Sequence, residues 1–324
     1  MTVQLTVIGL GQLGASLGLA LAGREDLVYR VGHDRDMTVM NKAKSLKAFD
    51  ATQFNLPASV EKADVVILCL PLDQIEETLK VIGPDLREDA VLLDTTPSKA
   101  AVAKWFEQYV PAGRHYIGLV PSINPLMLEQ PGHGIEAARA DLFDKATVGI
   151  VTPLNVRPEA VRLAEDLVRL VGGEPLFLDL LEADGVLTTA HLLPQVFAAA
   201  MLNMTVGQPG WTEARRFAGR PYAQVSSALG DDTLDSLKQA LLSNPERAIY
   251  MLDQAMNALA HLRNAVQTGD AKGLEKRLHL AFDDYQAWLK ERYAANWNKD
   301  DSKPKIDAGE WFKRLFTGER VKRK

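Results

Sequence analysis

The feature that most constrains this chain is a strand that runs straight into a glycine-spaced turn and then a helix. Leu5-Thr6-Val7-Ile8 reads as a buried parallel strand, Gly9-Leu10-Gly11-Gln12-Leu13-Gly14 follows at once, and Ala15–Ala22 continues as a helix with an apolar side. In such a turn Gly9 permits the tight bend, Gly11 lets the backbone approach a pyrophosphate, and Gly14 lets the helix sit close to the strand. The helix N-terminus then offers unpaired N–H groups and a partial positive charge to phosphate. A glycine pattern alone is weak; the second strand strengthens it. Val28-Tyr29-Arg30-Val31-Gly32-His33 ends in Asp34, the spacing at which a carboxylate meets adenosine ribose hydroxyls. A solvated strand-end aspartate is the bland alternative. The combined pattern implies a dinucleotide held by Gly9, Gly11, Gln12, Leu13, Gly14, Asp34 and Arg35, with Leu70-Pro71 after a later strand lining it from beneath. Asp34 repels a 2′-phosphate and so points to NAD; Arg35 beside it leaves NADP possible.

Strand and helix patterns alternate from there to about residue 181. Strands are predicted at Val65–Leu70, Ala90–Asp94, Tyr116–Val120, Thr147–Val151 and Glu174–Leu181, with helices at Met37–Lys47, Asp73–Ile82, Ser98–Tyr109 and Pro158–Val171. A short helix is expected to end at Leu142-Phe143. Alternation of this kind gives a Rossmann-type α/β domain, a doubly wound parallel sheet with ligands at the carboxyl ends of its strands. Beyond Glu182 the strand signals stop and long helical runs take over at Val186–Thr205, Thr233–Leu242, Pro245–Thr268 and Ala271–Asn296. The expected organisation is a dinucleotide-binding domain over 1–181, an all-α substrate and dimerisation domain over 182–296, and a charged tail over 297–324. Ala248, Leu252, Ala255, Leu259 and Leu262 form an apolar row, expected to be mostly core with some of it available to a subunit interface.

Composition excludes several alternatives. A formal charge of −5 argues against a nucleic-acid partner. One cysteine, Cys69, cannot close an internal disulfide and lies in a buried strand, so it reads as packing in a reducing compartment. No secretory leader pattern opens the sequence, and no unbroken apolar run approaches the roughly 18–20 residues of a membrane span. A cytoplasmic, soluble protein with no membrane span is expected. No Cys, His and carboxylate cluster has metal-ligand spacing, so no metal is expected.

Candidate chemistry gathers where the sheet ends. Asp94-Thr95-Thr96-Pro97-Ser98-Lys99 leaves a strand and starts a helix, so Ser98 is either a helix cap or, with Lys99, part of a site. Neutral imidazole can take a hydroxyl proton near pH 7. Of the six histidines, only His133, in the long loop after Val120, and His191, near the start of the first long helix, can reach the cleft. His33 neighbours the ribose position, His115 sits at the wrong strand end, and His261 and His279 lie deep in the helical half.

These residues resemble the prephenate and arogenate dehydrogenase family over roughly residues 3–290. The resemblance rests on Val7–Ser16, Leu70-Pro71, Asp94–Lys99, and Ala140-Asp141-Leu142-Phe143 leading to Val151-Thr152-Pro153. It implies a Rossmann domain, a helical domain forming a homodimer, and NAD- or NADP-dependent oxidation of a ring hydroxyl, in tyrosine biosynthesis, with loss of the ring carboxylate. It implies also a carboxylated small-molecule substrate. The family's catalytic motifs are altered. Asn124-Pro125 stands where the family has His-Pro, and an amide cannot accept the proton as imidazole does. Glu182-Ala183-Asp184 replaces Glu-His-Asp, and His191-Leu192-Leu193-Pro194-Gln195 replaces Ser-His-Leu-Pro-His. His191 is therefore one residue, about 100° of helix, from the family position. The family's carboxylate-binding Arg is met by Val225-Ser226-Ser227-Ala228, with Arg215, Arg216 and Arg220 nearby.

The expected site thus has His191 or His133 as base, Ser98 on the reacting hydroxyl, Asn124 positioning substrate or nicotinamide, and Lys99, Gln195 and an arginine among 215, 216 and 220 on substrate. The alternatives are a dinucleotide-binding sensor or assembly protein that has lost catalysis, and an imine or β-hydroxyacid reductase. The absence of lysine between Lys145 and Lys238 counts against the last, because hydroxyacid dehydrogenases place a catalytic Lys on the first helix after the nucleotide domain.

Overall fold

The computed structural model describes residues 2–130, 132–154, 156–230 and 232–295. Its first compact unit runs to Ala240 and is built on one sheet. In chain order this unit holds β1 (Val3–Ile8), α1 (Gln12–Ala20), β2 (Val28–His33), α2 (Met37–Ser45), β3 (Ala51–Thr52), α3 (Leu56–Val60) and β4 (Val65–Leu68). There follow α4 (Leu72–Ile82), β5 (Val91–Asp94), α5 (Lys99–Tyr109), β6 (His115–Pro121), β7 (Thr147–Val151), α6 (Pro158–Leu170) and β8 (Glu174–Leu178). The eight strands stand in the order β3-β2-β1-β4-β5-β6-β7-β8. All neighbours are parallel except β6 and β7, which pair antiparallel from Gly118↔Val151 to Pro121↔Val148.

The expected doubly wound sheet is therefore present, with one strand reversed. The loop after β6 returns without a crossover helix, so β7 must enter from the opposite end. Along β1, β4 and β5 every residue but Gln4 is buried, as a sheet covered on both faces requires. Strand order reverses between β1 and β4, so right-handed crossovers send α1 and α4 to opposite faces. Alternate residues Val3, Leu5, Val7, Val65, Ile67, Leu93 and Ile117 join Leu17 of α1, Leu21 just after it, and Leu163 and Leu167 of α6 in one core. The expected short helix ending at Leu142-Phe143 is absent; the loop instead forms single 3₁₀ turns at Pro125–Met127 and Ile135–Ala137.

The sheet-bearing unit does not stop at residue 181. It continues through α7 (Leu180–Leu187), a π-turn (Thr188–Leu192), α8 (Leu193–Thr205), α9 (Trp211–Ala214), α10 (Arg220–Ser227) and most of α11 (Leu234–Ser243). Leu180–Thr205 is one 26-residue helical run with a window of mean hydropathy 1.4, so by length and composition it matches a membrane span. The run is not an unbroken apolar one, because Glu182, Asp184 and His191 interrupt it. Its polar residues are engaged within the unit: Asp184 is buried and accepts a hydrogen bond from Lys99 N on α5.

The second unit begins at Leu241. It holds α12 (Pro245–Thr268) and α13 (Ala271–Ala294), joined by Gly269 in the left-handed region and by Asp270, which caps α13 at Gly273 N. The apolar row on α12 is not core: Leu252 and Leu259 are exposed, as are Met256 and Ile249 beside them. Among the described residues these two helices are the only long ones of this unit. The expected tail, 297–324, lies outside the described residues.

Candidate active site

The glycine turn is shaped by backbone crowding. Gly9 has φ +92° and a Cβ there would lie 2.3 Å from Cys69 O; at Gly14 it would lie 1.9 Å from Gly9 O. At Gly11 a Cβ would meet nothing within 4 Å. Only the middle glycine faces open space, the cradle that a pyrophosphate needs. Gly11 occupies the N-cap position of α1, and no side chain caps that helix. Its first N–H groups are thus left for an anion.

Asp34 holds the turn from the side. Its Oδ2 accepts from Leu10 N at 2.8 Å and its Oδ1 from Asp36 N at 2.9 Å. Each carboxylate oxygen keeps a second lone pair for a ribose hydroxyl. Arg35 is exposed beside it. Leu70 packs against the turn, its Cδ2 being 3.0 Å from a Cβ built on Gly9, and Pro71 precedes α4. Leu13 lines an apolar cavity with Leu17, Phe143 and Leu167. Gln12 Nε2 donates to Ala137 O at 3.3 Å, so the long loop after β6 lies along the start of α1. These residues fit a dinucleotide.

At the carboxyl end of β5 the chain builds a buried polar knot. Asp94 and Lys99 are both 0 % exposed. The Asp94 carboxylate accepts from Lys99 Nζ at 2.9 Å, Tyr116 OH at 2.6 Å and Thr96 N at 2.9 Å. Burial pulls the Lys99 ammonium below the ordinary lysine range, opposed by Asp94. The Tyr116 phenol is pushed up by burial and by the same carboxylate, and burial pushes the Cys69 thiol up to about 12. Lys99 is thus corrected as a substrate ligand: its stem lies over Gly118 and its charge is spent on Asp94. Cys69 is inert packing.

Ser98 stands at the N-cap of α5 yet makes no capping hydrogen bond. Asp184 does that work instead, its Oδ1 accepting from Lys99 N at 2.7 Å. The Ser98 hydroxyl, in a residue 5 % exposed, is left free of its own helix. Asn124 staples its own loop: its Nδ2 donates to Asp141 O at 3.0 Å and its Oδ1 accepts from Leu126 N at 3.0 Å, which leaves one N–H and one lone pair of the amide.

The α7–α8 run carries His191 in its π-turn. Pro194 has no N–H and cannot close the ordinary bond to Ala190, and a wider turn just before it absorbs the mismatch. A π-turn takes one extra residue and so shifts helix phase by about 100°, the size of the offset between His191 and the family position. His191 Nε2 lies 4.0 Å from Asp232 Oδ2, an ion-pair separation rather than a hydrogen bond. Asp232 Oδ2 also accepts from Ser236 Oγ at 2.7 Å, and Ser236 Oγ accepts from Leu72 N at 3.1 Å. Burial alone would raise the Asp232 carboxyl; the His191 imidazole, Ser236 and Thr233 N together hold it below the ordinary aspartate range. Leu72 opens α4 directly after Leu70-Pro71, so this chain of contacts seats His191 on the carboxyl edge of the sheet. Asp184, on the same helical run, ties to α5 at the neighbouring strand end.

Gln195 is 1 % exposed; its Nε2 donates to His191 O at 3.2 Å while its buried Oε1 has no partner. His133 is exposed in the loop beside α1, with no acidic partner among the described residues. His33 is bound through Nδ1 to Gln53 O, and His115 through Nε2 to Arg157 at the amino edge. His261 and His279, expected deep in the helical half, are exposed. Arg215, Arg216 and Arg220 are exposed where the chain turns beyond α8, near the Thr205–Tyr222 hydrogen bond. That is the far end of a 13-residue helix from His191, roughly 20 Å away, so the structure does not bring them together. Asp232 and Ser236 were not readable as site residues. Asp231-Asp232-Thr233 before a helix looks like capping, and only the fold carries it to His191. Among the described residues no His, Cys, Asp and Glu group is placed to hold a metal.

Comparison with known proteins bears on the fold and on the nucleotide-binding part of the chain. The nucleotide-binding domain of prephenate dehydrogenase, as a family, matches residues 17–176. A cyclohexadienyl dehydrogenase of Zymomonas mobilis is 25% identical over 268 residues, 82% of this chain and 89% of that protein. A prephenate dehydrogenase of Lactococcus lactis is 23% identical over 84% of this chain and 73% of its own length. Among solved structures, prephenate dehydrogenase from A. aeolicus in complex with hydroxyphenyl propionate and NAD+ superposes with a TM-score of 0.77 at 18% identity, covering 89% of this chain and 98% of that one. At that identity the likeness speaks for the fold.

Proposed function

The chain belongs to the prephenate dehydrogenase family and is a dehydrogenase of that kind; from this premise we propose that it uses NAD to oxidise prephenate or arogenate, with His191 as the proton acceptor. The observation that carries the reading is the shared edge. An uncapped α1 over open space at Gly11 and a carboxylate-paired His191 both sit at carboxyl ends of the sheet strands, where ligands of this fold bind. When bound, the nicotinamide supplies the two-electron acceptor for the hydride on the carbinol carbon. His191 takes the hydroxyl proton, and Asp232 offsets the charge the imidazole gains. The free Ser98 hydroxyl holds the reacting oxygen, and the unpartnered Gln195 Oε1 accepts from a donor on the substrate. Loss of the ring carboxylate as carbon dioxide then makes the product aromatic. Asp34 favours NAD over NADP by repelling a 2′-phosphate.

His191 is preferred to His133 because it alone has a carboxylate to orient it. The comparisons do not favour a non-catalytic sensor or an imine or β-hydroxyacid reductase. We also read the protein as a cytoplasmic homodimer joined through its helical part, supported by the exposed apolar residues of α12 and α13, among them Leu259, Leu280 and Phe282.

The test is absorbance at 340 nm with purified protein, NAD or NADP, and prephenate or arogenate in turn. Turnover with one of the two acids and a preference for NAD is expected. No turnover with either, in a preparation that binds NAD, would overturn the substrate assignment.

A further inference from the structure

We propose that Asp232 is the positioning residue of the site, fixing His191 with its Nε2–H toward the carboxylate so that Nδ1 is the nitrogen that accepts the substrate proton. The inference rests on the reading of His191 given above and adds which atom acts and what holds it. Asp232 Oδ2 faces Nε2 at 4.0 Å, and among the described residues no hydrogen bond engages Nδ1. The carboxylate is itself fixed from two sides: Ser236 Oγ donates to it at 2.7 Å and Thr233 N donates to its Oδ1 at 2.7 Å. Ser236 is in turn pinned by Leu72 N, and Thr233 Oγ1 donates to Asp73 Oδ1 at 3.0 Å. Two tethers to α4 therefore set where Asp232 can be, and Asp232 sets the ring.

The other charged groups near this cluster are already engaged. Asp184, two turns earlier on His191's own helical run, binds Lys99 N; Asp73 takes the Thr233 hydroxyl; Lys238 is paired with Asp235 on α11. Among the described residues Asp232 is thus the carboxylate that faces the imidazole. In the proton step the substrate O–H bond breaks, its proton forms a bond to Nδ1, and the resulting imidazolium keeps Nε2–H toward Asp232. A bound oxidised nicotinamide would accept the hydride from carbon, and the imidazolium later returns its proton to water.

The test is NMR of the full chain labelled with ¹⁵N-histidine, recorded on the neutral ring, His191 being assigned by the signal lost in His191→Asn. His191 is expected as the Nε2–H tautomer. In Asp232→Ala that preference is lost and both tautomers are populated, and Asp232→Glu restores it. kcat/KM falls in Asp232→Ala with NAD affinity unchanged and recovers in Asp232→Glu, which a merely structural loss would not produce. An Nδ1–H tautomer in the wild type, or an unchanged tautomer in Asp232→Ala, would overturn the proposal. The tautomer is read without turnover, so a chain inactive on both acids sinks the substrate assignment and leaves this test decisive.

Discussion

Two neighbouring stretches of the sheet's carboxyl edge are built on different principles. The stretch at β1 and β2 is shaped by backbone: three glycines, a bare helix terminus and one aspartate that ties Leu10 N to the second strand. The stretch at β4 and β5 is furnished with side chains delivered by a later part of the chain, with Asp184 reaching α5 and Ser236 reaching α4. A backbone site leaves little room for substitution, because each glycine answers a steric demand. A side-chain site can be rebuilt as long as some group arrives with the right chemistry. That contrast explains how a chain can keep its family's phosphate turn while exchanging His-Pro for Asn-Pro and moving a histidine by one residue.

The largest effect that would break the contrast is expected at Gly14. A Cβ there lies 1.9 Å from Gly9 O, backbone that cannot move aside, so Gly14→Val should abolish NAD binding and sharply lower the melting temperature. Gly11→Ala, by comparison, should melt with the wild type and weaken NAD binding by about tenfold, roughly 1.4 kcal/mol. Calorimetric titration on both variants checks this; equal behaviour of the two would erase the distinction between a crowded and an open glycine. Next comes Lys99→Met. It strands Asp94 in the core and should cost about 3–5 kcal/mol in denaturant unfolding, the range for one partner of a buried ion pair. An unchanged midpoint would mean that the pair is not buried in solution. Asp184→Ala should cost about 1 kcal/mol as a lost helix cap, with Asp184→Asn close to wild type because its amide oxygen can still accept from Lys99 N.

The smallest effect lies at the amino edge, away from both stretches. Arg157 Nε donates to His115 Nε2, which requires a neutral ring, and burial first and Arg157 second lower that histidine's proton affinity. The unfolded chain then binds more protons just below the ordinary histidine range, so stability falls as pH drops through about 6.5 and is fully present above it. His115→Gln should flatten that part of the melting-temperature profile between pH 5 and 8. An equally steep profile in the variant would assign the dependence elsewhere.

Legibility in the sequence followed the same division. The glycine turn, the strand ending at Asp34 and the alternation through β8 were readable because local pattern and tertiary role coincide there. The two-residue β3 carries too little pattern to be read, and the reversal of β7 depends on how a loop returns rather than on the strand's own residues. Ser98 was readable as cap or site residue, but the choice was made by Asp184, far along the chain. Lys99 looked like a cleft cation until Asp94, Tyr116 and Gly118 enclosed it. Asn124 looked like a ligand to substrate, and its amide is also engaged at Leu126 N and Asp141 O. In each case the deciding partner is distant in sequence or hidden in a loop, where periodicity says nothing.

The claim that the base has moved to His191 while the cofactor half stayed in place is tested most directly by His191→Asn. The measurement is the rate of NADH formation at saturating NAD and substrate, with NAD affinity determined on the same samples. The account predicts a fall of about 10²- to 10⁴-fold in rate with NAD affinity unchanged. A variant that keeps the wild-type rate would contradict it and place the proton acceptor elsewhere on the chain.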